Sequence, residues 1–314
     1  MHPKHFVGLA DLDRSRLIAV LERAARLKHD VQIGRPHPLL PGRIAALIFQ
    51  KPSLRTRVSF EVGMAQLGGR GLYLSPAEVG LGERESPADV ARVLSRMVNA
   101  IVARTFKHAD IVALAENATI PVVNALSDLE HPCQALADLQ TIAEHAGRLE
   151  GVTLAYVGDG NNVAHSLMLA APMVGLNVRV ATPSGFAPDA GITRKAEELA
   201  EDVGSEMRVI EDPYAAVAGA DFIYTDTWYS MGQEAEAEAR RPVFRDYQVN
   251  DRLLSAAGRS AKIMHCLPAH RGDEITDAVI DGPASVVYDQ AENRLHAQKA
   301  LLVELLGAPP GSEE

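Results

Sequence analysis

The run RIAALIFQKPSLRTRVSFEVGMAQLGG at residues 43–69 marks the architecture of this chain. Its opening, RIAALIF at 43–49, is an apolar stretch of strand length. Its second half, Thr56–Leu67, is helical in length and places Val58, Val62 and Ala65 on one stripe before Gly68-Gly69 stops it. A strand that passes through a short polar turn into a helix begins a βα unit. Ser53 stands where it can cap that helix, whose first N–H groups carry partial positive charge and suit an anion. Arg55 adds a planar, permanently charged fork matched to phosphate oxygens. The same residues also describe an ordinary capped helix with exposed arginines, so the motif alone leaves both readings open.

The pattern continues outward in both directions. Upstream, residues 11–29 have helical periodicity, with Leu17, Val20, Leu21, Ala24 and Leu27 on one face. Downstream, strand Gly71–Leu74, helix Ala88–Val98, strand Ala100–Ala103, helix Ile111–Glu116 and strand Pro121–Asn124 alternate, and 133–146 reads as a helix. A second alternation starts at Gly151: strand Thr153–Val157, helix Val163–Met173, strand Asn177–Ala181, helix Arg194–Val203, strand Met207–Glu211, helix Tyr214–Ala218 and strand Asp221–Thr225. A helix around 248–257, strand Lys262–Cys266 and a closing helix from about 290 to 306 complete it. The Glu/Ala run at 234–239 reads as a solvated helix start. Alternation at this spacing implies an α/β protein with two domains, each a parallel β-sheet flanked by helices. The expected boundaries are 1–147 and 148–289, with the C-terminal helix 290–314 returning to the first domain.

Composition narrows the function classes. At 314 residues the chain can bury two cores, and 47% hydrophobic with 23% charged residues is ordinary globular composition. A formal net charge of −10 argues against nucleic acid as a partner, because a phosphate-backbone reader needs a cationic face. The two cysteines, Cys133 and Cys266, form no CxxC pair, which favours a reduced, cytoplasmic setting. No apolar run approaches the roughly 18–20 residues of a membrane span.

Several motifs follow apolar strands, the place where open α/β sheets bind ligands. GDGNNV at 158–163 opens a helix but is GxGxxV, and no acid follows about 20 residues later to hold a ribose, which argues against a dinucleotide. Asn161 and Asn162 could instead face another ligand. HPCQ at 131–134 and HCLPAH at 265–270 each pair a His with a Cys, yet neither has the ligand spacing of a structural zinc site. A Cys–His nucleophile is an alternative. Arg104 ends a strand and Arg294 enters the last helix; each alone reads as a surface charge.

Taken in order, these pieces resemble the aspartate/ornithine carbamoyltransferase family along nearly the whole chain. The residues that carry the resemblance are Ser53-Leu54-Arg55-Thr56-Arg57 for the carbamoyl-phosphate signature, Arg104, His131 with Gln134, and Arg294. Asp226, Trp228 and Ser230-Met231-Gly232 of DTWYSMG, with His265-Cys266-Leu267-Pro268, resemble the ornithine-specific branch rather than the aspartate one. The resemblance implies transfer of a carbamoyl group from carbamoyl phosphate to the δ-amine of L-ornithine in a homotrimer, with no metal and no organic cofactor. It assigns Ser53, Leu54, Arg55, Thr56, Arg104, His131, Gln134, Cys266, Leu267 and Arg294 to carbamoyl phosphate. It assigns Asn162, Asp226, Ser230, Met231 and Cys266 to ornithine, and casts Arg55, Arg104, His131, Asp226 and Cys266 as catalytic.

Two positions depart from the family pattern. Leu54 replaces the usual Thr, so only its backbone N–H could serve phosphate. Gly80 stands where many relatives carry a polar side chain directed to a neighbouring subunit.

Overall fold

The computed structural model describes residues 5–229, 234–258 and 261–307. The chain divides into two compact units, Met1–Gln140 with Glu292–Glu314, and Thr141–Ala291.

In the first unit the elements run α1 (Arg14–Gln32), β1 (Ile44–Phe49), α2 (Leu54–Gln66), β2 (Arg70–Leu74), α3 (Pro76–Val79), α4 (Pro87–Leu94), β3 (Ala100–Arg104), α5 (His108–Asn117), β4 (Val122–Leu126) and the start of α6 (Pro132–Ala146). Asp13 caps α1 by accepting from the Arg16 N–H at 2.8 Å, and the buried face of α1 is the expected Leu17, Val20, Leu21, Ala24 and Leu27. The sheet order is β2-β1-β3-β4, with parallel pairing throughout. Strands β1 and β3 are buried almost end to end, which is why they read as unbroken apolar runs rather than alternating ones.

The second unit continues with β5 (Thr153–Val157), α7 (Asn162–Met173), β6 (Asn177–Ala181), α8 (Ala190–Val203), β7 (Met207–Ile210), α9 (Pro213–Val217), β8 (Phe222–Thr225), α10 (Ala237–Phe244), α11 (Asp251–Ala257), β9 (Lys262–His265) and α12 (Asp277–Ile280). Its sheet is also parallel, in the order β7-β6-β5-β8-β9. The last helix, α13 (Val287–Leu306), ends in the first unit. Of the described residues, no helix is long and apolar enough to cross a membrane.

One helical face differs from the sequence reading. On α2 the buried residues are Thr56, Ser59, Phe60, Gly63 and Met64, whereas Val58 and Val62 are exposed. The cause is the neighbour that α2 meets. A Cβ on Gly63 would come within 3.2 Å of Lys299 Cγ and 3.5 Å of Leu295 Cδ1 on α13. Thr56, Ser59 and Gly63 are small enough to let the two helices approach closely, and their weak hydrophobicity leaves Phe60 and Met64 as the only large apolar members of the packed face, too few to outweigh Val58 and Val62 in a periodicity count. Helix α4 also ends earlier than expected, at Leu94. Ser95 Oγ turns to accept the Thr119 N–H at 3.0 Å.

Each sheet has one point where strand order reverses: between β1 and β3 in the first, and between β5 and β8 in the second. Loops leaving neighbouring strands in opposite directions open a crevice there, at the carboxyl edge, where α/β sheets bind ligands.

Candidate active site

In the first unit, the β1–α2 turn and the end of β3 flank the reversal point, with Phe49 paired in register to Arg104. Ser53 caps α2: its Oγ accepts from the Thr56 N–H at 3.3 Å and its hydroxyl meets Thr56 Oγ1 at 2.9 Å. Leu54 is the first residue of α2 and its side chain is 74% exposed, so what it can offer an anion is its backbone N–H. Arg55, half-buried, follows in the same turn.

Arg294 enters this corner from α13. Its Nη1 donates to Gln134 Oε1 at 2.7 Å and its Nη2 to Thr56 Oγ1 at 3.2 Å. Gln134 passes the network on, its Nε2 donating to Asp138 Oδ1 at 2.8 Å. Gln298, one turn further along α13, also accepts from Arg294 Nη2 at 3.0 Å when its amide is oriented to satisfy its neighbours. All of these side chains are buried, so each bond forms in a low-dielectric setting where geometry is held firmly.

His131 sits at the centre of the cationic groups. Burial holds its imidazole well below the ordinary histidine range, and the charges of Arg294, Arg104 and Arg55 push in the same direction. It is therefore neutral near pH 7 and can donate a hydrogen bond without adding charge. Three guanidinium groups around one neutral imidazole suit a multiply charged anion with a polarisable carbonyl.

The second unit has the opposite character. Asn161 caps α7, and its Oδ1 accepts from the Val163 and Ala164 N–H groups and from the Tyr156 hydroxyl. Those three donors fix the amide orientation, so Nδ2 points across the reversal point and donates to Asp226 Oδ2 at 2.8 Å. Cys266 Sγ donates to the other carboxylate oxygen, Oδ1, at 3.0 Å. Nearby, burial first and then the charges of Asp226, Asp159, Cys266 and Glu274 raise the Tyr156 phenol well above its ordinary range. A site with this potential suits an ammonium or amine group.

The residues after β9 are held from beneath. His265 is fully buried; its Nδ1 accepts the Leu267 N–H at 2.9 Å and its Nε2 donates to Glu274 Oε1 at 3.0 Å. Leu267 lies in the left-handed region at φ 57°, which an L side chain rarely adopts and which turns its carbonyl away from the strand direction. The Leu267–Pro268 peptide is cis. Asp226, His265 and Cys266 each present a ligand-type atom within 4.8 Å of the others. Both nitrogens of His265 and both oxygens of Asp226 are engaged by protein groups, which makes the trio a self-satisfied polar cluster.

Residues 4–144 match the family model described as the aspartate/ornithine carbamoyltransferase carbamoyl-P binding domain, and residues 150–305 match the Asp/Orn binding domain. The chain belongs to the aspartate/ornithine carbamoyltransferase family. It is 55% identical over 299 residues to an ornithine carbamoyltransferase of Thermococcus kodakarensis, covering 95% of both chains. It is 56% identical over 299 residues to the anabolic ornithine carbamoyltransferase of Pyrococcus furiosus, again covering 95% of both. The solved structure of ornithine carbamoyltransferase from Pyrococcus furiosus superposes with a TM-score of 0.95 at 54% identity, covering 98% of each chain. That from Thermus thermophilus gives 0.86 at 45% identity, covering 98% of this chain and all of the other.

Of the family-pattern residues, Ser53, Thr56, Gln134 and Arg294 form one hydrogen-bonded network, with Arg55, Arg104 and His131 coupled to it electrostatically. Asp226 and Cys266 are bonded directly, and Asn162 is the first residue of α7. Ser230 and Met231 lie outside the described residues. Sequence reasoning named His265 within HCLP and Asn161 as a ligand-facing amide, but it missed Asp138, the Glu274 partner of His265, and the role of Asn161 as the cap that bonds Asp226. Asn161 had a usable signal, an Asn directly before a helix. Asp138 and Glu274 had none beyond being acidic.

Proposed function

We propose that this family member transfers the carbamoyl group of carbamoyl phosphate to the δ-amine of L-ornithine, yielding L-citrulline and phosphate. The observation that carries the reading is the contrast between the two half-sites. One gathers Arg55, Arg104 and Arg294 around a neutral His131, and the other gathers Asp226 and a thiol under a negative potential. A dianionic donor and a cationic amino acid are the pair this chemistry fits. The named relatives, all ornithine carbamoyltransferases, point the same way.

In this mechanism Ser53, the Leu54 N–H, Arg55, Thr56 and the α2 N-terminus hold the phosphate. Arg104, His131 and Thr56 direct donors at the carbonyl oxygen, which becomes anionic as the amine adds. Gln134 and the Leu267 carbonyl hold the carbamoyl amide. Arg294 is bonded to Thr56 and Gln134 at once and supplies charge to the same corner. Asn162, Ser230 and Met231 take the α-amino and carboxylate groups of ornithine, and Asp226 with Cys266 aims its δ-amine. Phosphate leaves and accepts the proton lost by the amine. No metal or organic cofactor enters these steps.

The proposed assembly is a homotrimer in the cytoplasm. Exposed Leu54, Val58 and Val62 on α2, with Leu72 on β2, supply an apolar surface for a second copy to cover. Neither cysteine is in a disulfide, as expected for a reducing compartment. Sedimentation of the parent and of Val62→Glu tests the assembly: a trimer for the first and smaller species for the second.

The decisive experiment is citrulline formation by purified protein with carbamoyl phosphate and a panel of amines. Ornithine should be used far better than aspartate, putrescine or an N-acylated ornithine. A preference for any of those would replace the substrate named here.

A further inference from the structure

Arg240 lies on α10, outside every motif above, and its side chain is only 13% exposed. Its guanidinium is committed on every side. Nη1 donates to Asp159 Oδ2 at 3.0 Å and to the Trp228 carbonyl at 2.8 Å. Nε and Nη2 approach Glu236 Oε2 at 2.9 and 2.8 Å. Cζ stands over the Phe186 ring, 5.0 Å from its centroid.

These partners come from four segments at the carboxyl edge of the second sheet. Asp159 lies in the turn after β5, Phe186 in the loop after β6, Trp228 just beyond β8, and Glu236 at the entry to α10. The turn after β5 also carries Asn161 and Asn162. The segment after β8 carries Asp226, two residues before Trp228. The loop after β6 closes over the same turn: the Gly160 N–H donates to the Phe186 carbonyl at 3.0 Å, and a Cβ on Gly160 would overlap the backbone of Pro188. One planar group thus spans the two loops that flank the reversal point, close to where Asn161 bonds Asp226.

We propose that Arg240 is a positioning residue for ornithine, fixing the Asp159 turn against the Trp228 carbonyl so that Asn162 and Asp226 keep a set separation. The proposal rests on the assignment of ornithine to this half-site. Arginine suits the task where lysine would not, because its rigid fork serves a carboxylate and a carbonyl from one nitrogen while a second edge holds Glu236. It also answers the charge of Asp159. Burial raises that carboxyl to about 6 even though Arg240 pulls it down, and Asp226 adds to the rise. Without the guanidinium, a second uncompensated acid would stand beside the one assigned to the amine.

The test is steady-state kinetics of the full chain with both substrates varied, on Arg240→Met, Arg240→Lys and Asp159→Asn. Arg240→Met keeps much of the apolar stem and loses the fork. We expect its ornithine KM to rise tenfold or more, with the carbamoyl phosphate KM within twofold of the parent. Arg240→Lys should fall between parent and Met, and Asp159→Asn should raise the ornithine KM less than Arg240→Met does. An ornithine KM within twofold of the parent in folded Arg240→Met overturns the proposal. So does an equal rise in both KM values, which would mark general loosening. If Arg240→Met does not fold, the Lys variant is read by the same criteria. Asp226→Asn, assayed alongside, reads the ornithine assignment itself: an unchanged ornithine KM there removes that assignment and the proposal with it.

Discussion

Arg294 reaches Thr56 across 238 residues of sequence, its Nη2 donating to Oγ1 at 3.2 Å. The bond exists because α13 lies close against α2, and the closeness depends on Gly63, where even a methyl group would stand 3.2 Å from Lys299 Cγ. A glycine without catalytic chemistry thereby sets where a guanidinium sits.

That relationship is open to a direct test. Gly63→Val should overpack the crossing and cost about 1–3 kcal/mol in denaturant unfolding. It should also raise the carbamoyl phosphate KM, because Arg294 moves with α13. Arg294→Met should lower both carbamoyl phosphate affinity and turnover, because it removes a charge from this corner and the donor that Thr56 and Gln134 share. A Gly63→Val enzyme that is destabilised yet kinetically normal would separate the helix crossing from the site.

Arg55 bears most directly on the phosphate. A hydrogen bond to a charged group is worth about 1.5–3 kcal/mol. Arg55→Ala should therefore weaken carbamoyl phosphate binding by at least tenfold and collapse turnover, with an unchanged circular-dichroism spectrum. Near-normal activity in the folded variant would remove the phosphate from this turn.

On the amine side, a δ-amine resembling that of lysine has a pKa of about 10.4, so about one molecule in a thousand is neutral at pH 7.4. The rate at limiting ornithine should rise from pH 6 to above 8. Asp226→Asn should weaken ornithine use strongly, since it removes the carboxylate. Cys266 donates to Asp226 at 3.0 Å, so Cys266→Ser, which keeps a donor, should be milder than Cys266→Ala. A flat pH profile, or an Asp226→Asn enzyme with the parent's ornithine dependence, would mean that the amine is held elsewhere.

Stability should depend on pH through buried basic groups. Burial holds His131 and His37 below their ordinary range, and His296 is pushed down to about 3 by burial and by the charges of Lys299, Lys28 and His37. Below about pH 6.5 the unfolded chain takes up protons that the folded chain refuses, so stability is lost as pH falls. The melting temperature should drop between pH 6.5 and 4.5, and His296→Gln should flatten the drop. Lys299 is lowered from 10.5 to about 8, chiefly by burial. Between those values the unfolded chain binds the extra proton, so this residue adds stability as pH rises from 8 to 10. Lys299→Met should lose that upward slope. A melting temperature flat across both windows would contradict the assignment of these groups as buried and neutral-favouring.

Most elements and the class of fold were legible in the order of residues alone. Fully buried strands such as β1 and β5 read as near-continuous apolar runs, whereas β6 shows instead an alternation in which Val178 and Val180 are buried and Asn177 and Arg179 are not. A helix with a broad apolar face, such as α1, shows its packed side through period alone. Ser53 as a cap was legible because capping is local chemistry between residues three apart. What depends on which surfaces meet emerges only once the chain is folded. Val58 and Val62 are as apolar as any core residue, yet α2 turns Thr56, Ser59 and Gly63 inward because those small side chains admit α13. Asn161 bonds Asp226 because three donors fix its amide direction and strand order sets the loops after β5 and β8 side by side. Arg240 meets Asp159 across 81 residues, and Arg294 meets Gln134 across 160. Nothing local marks such pairs, because a hydrogen bond's energy depends on distance in space and the chain encodes that distance only through the packing of whole helices and sheets.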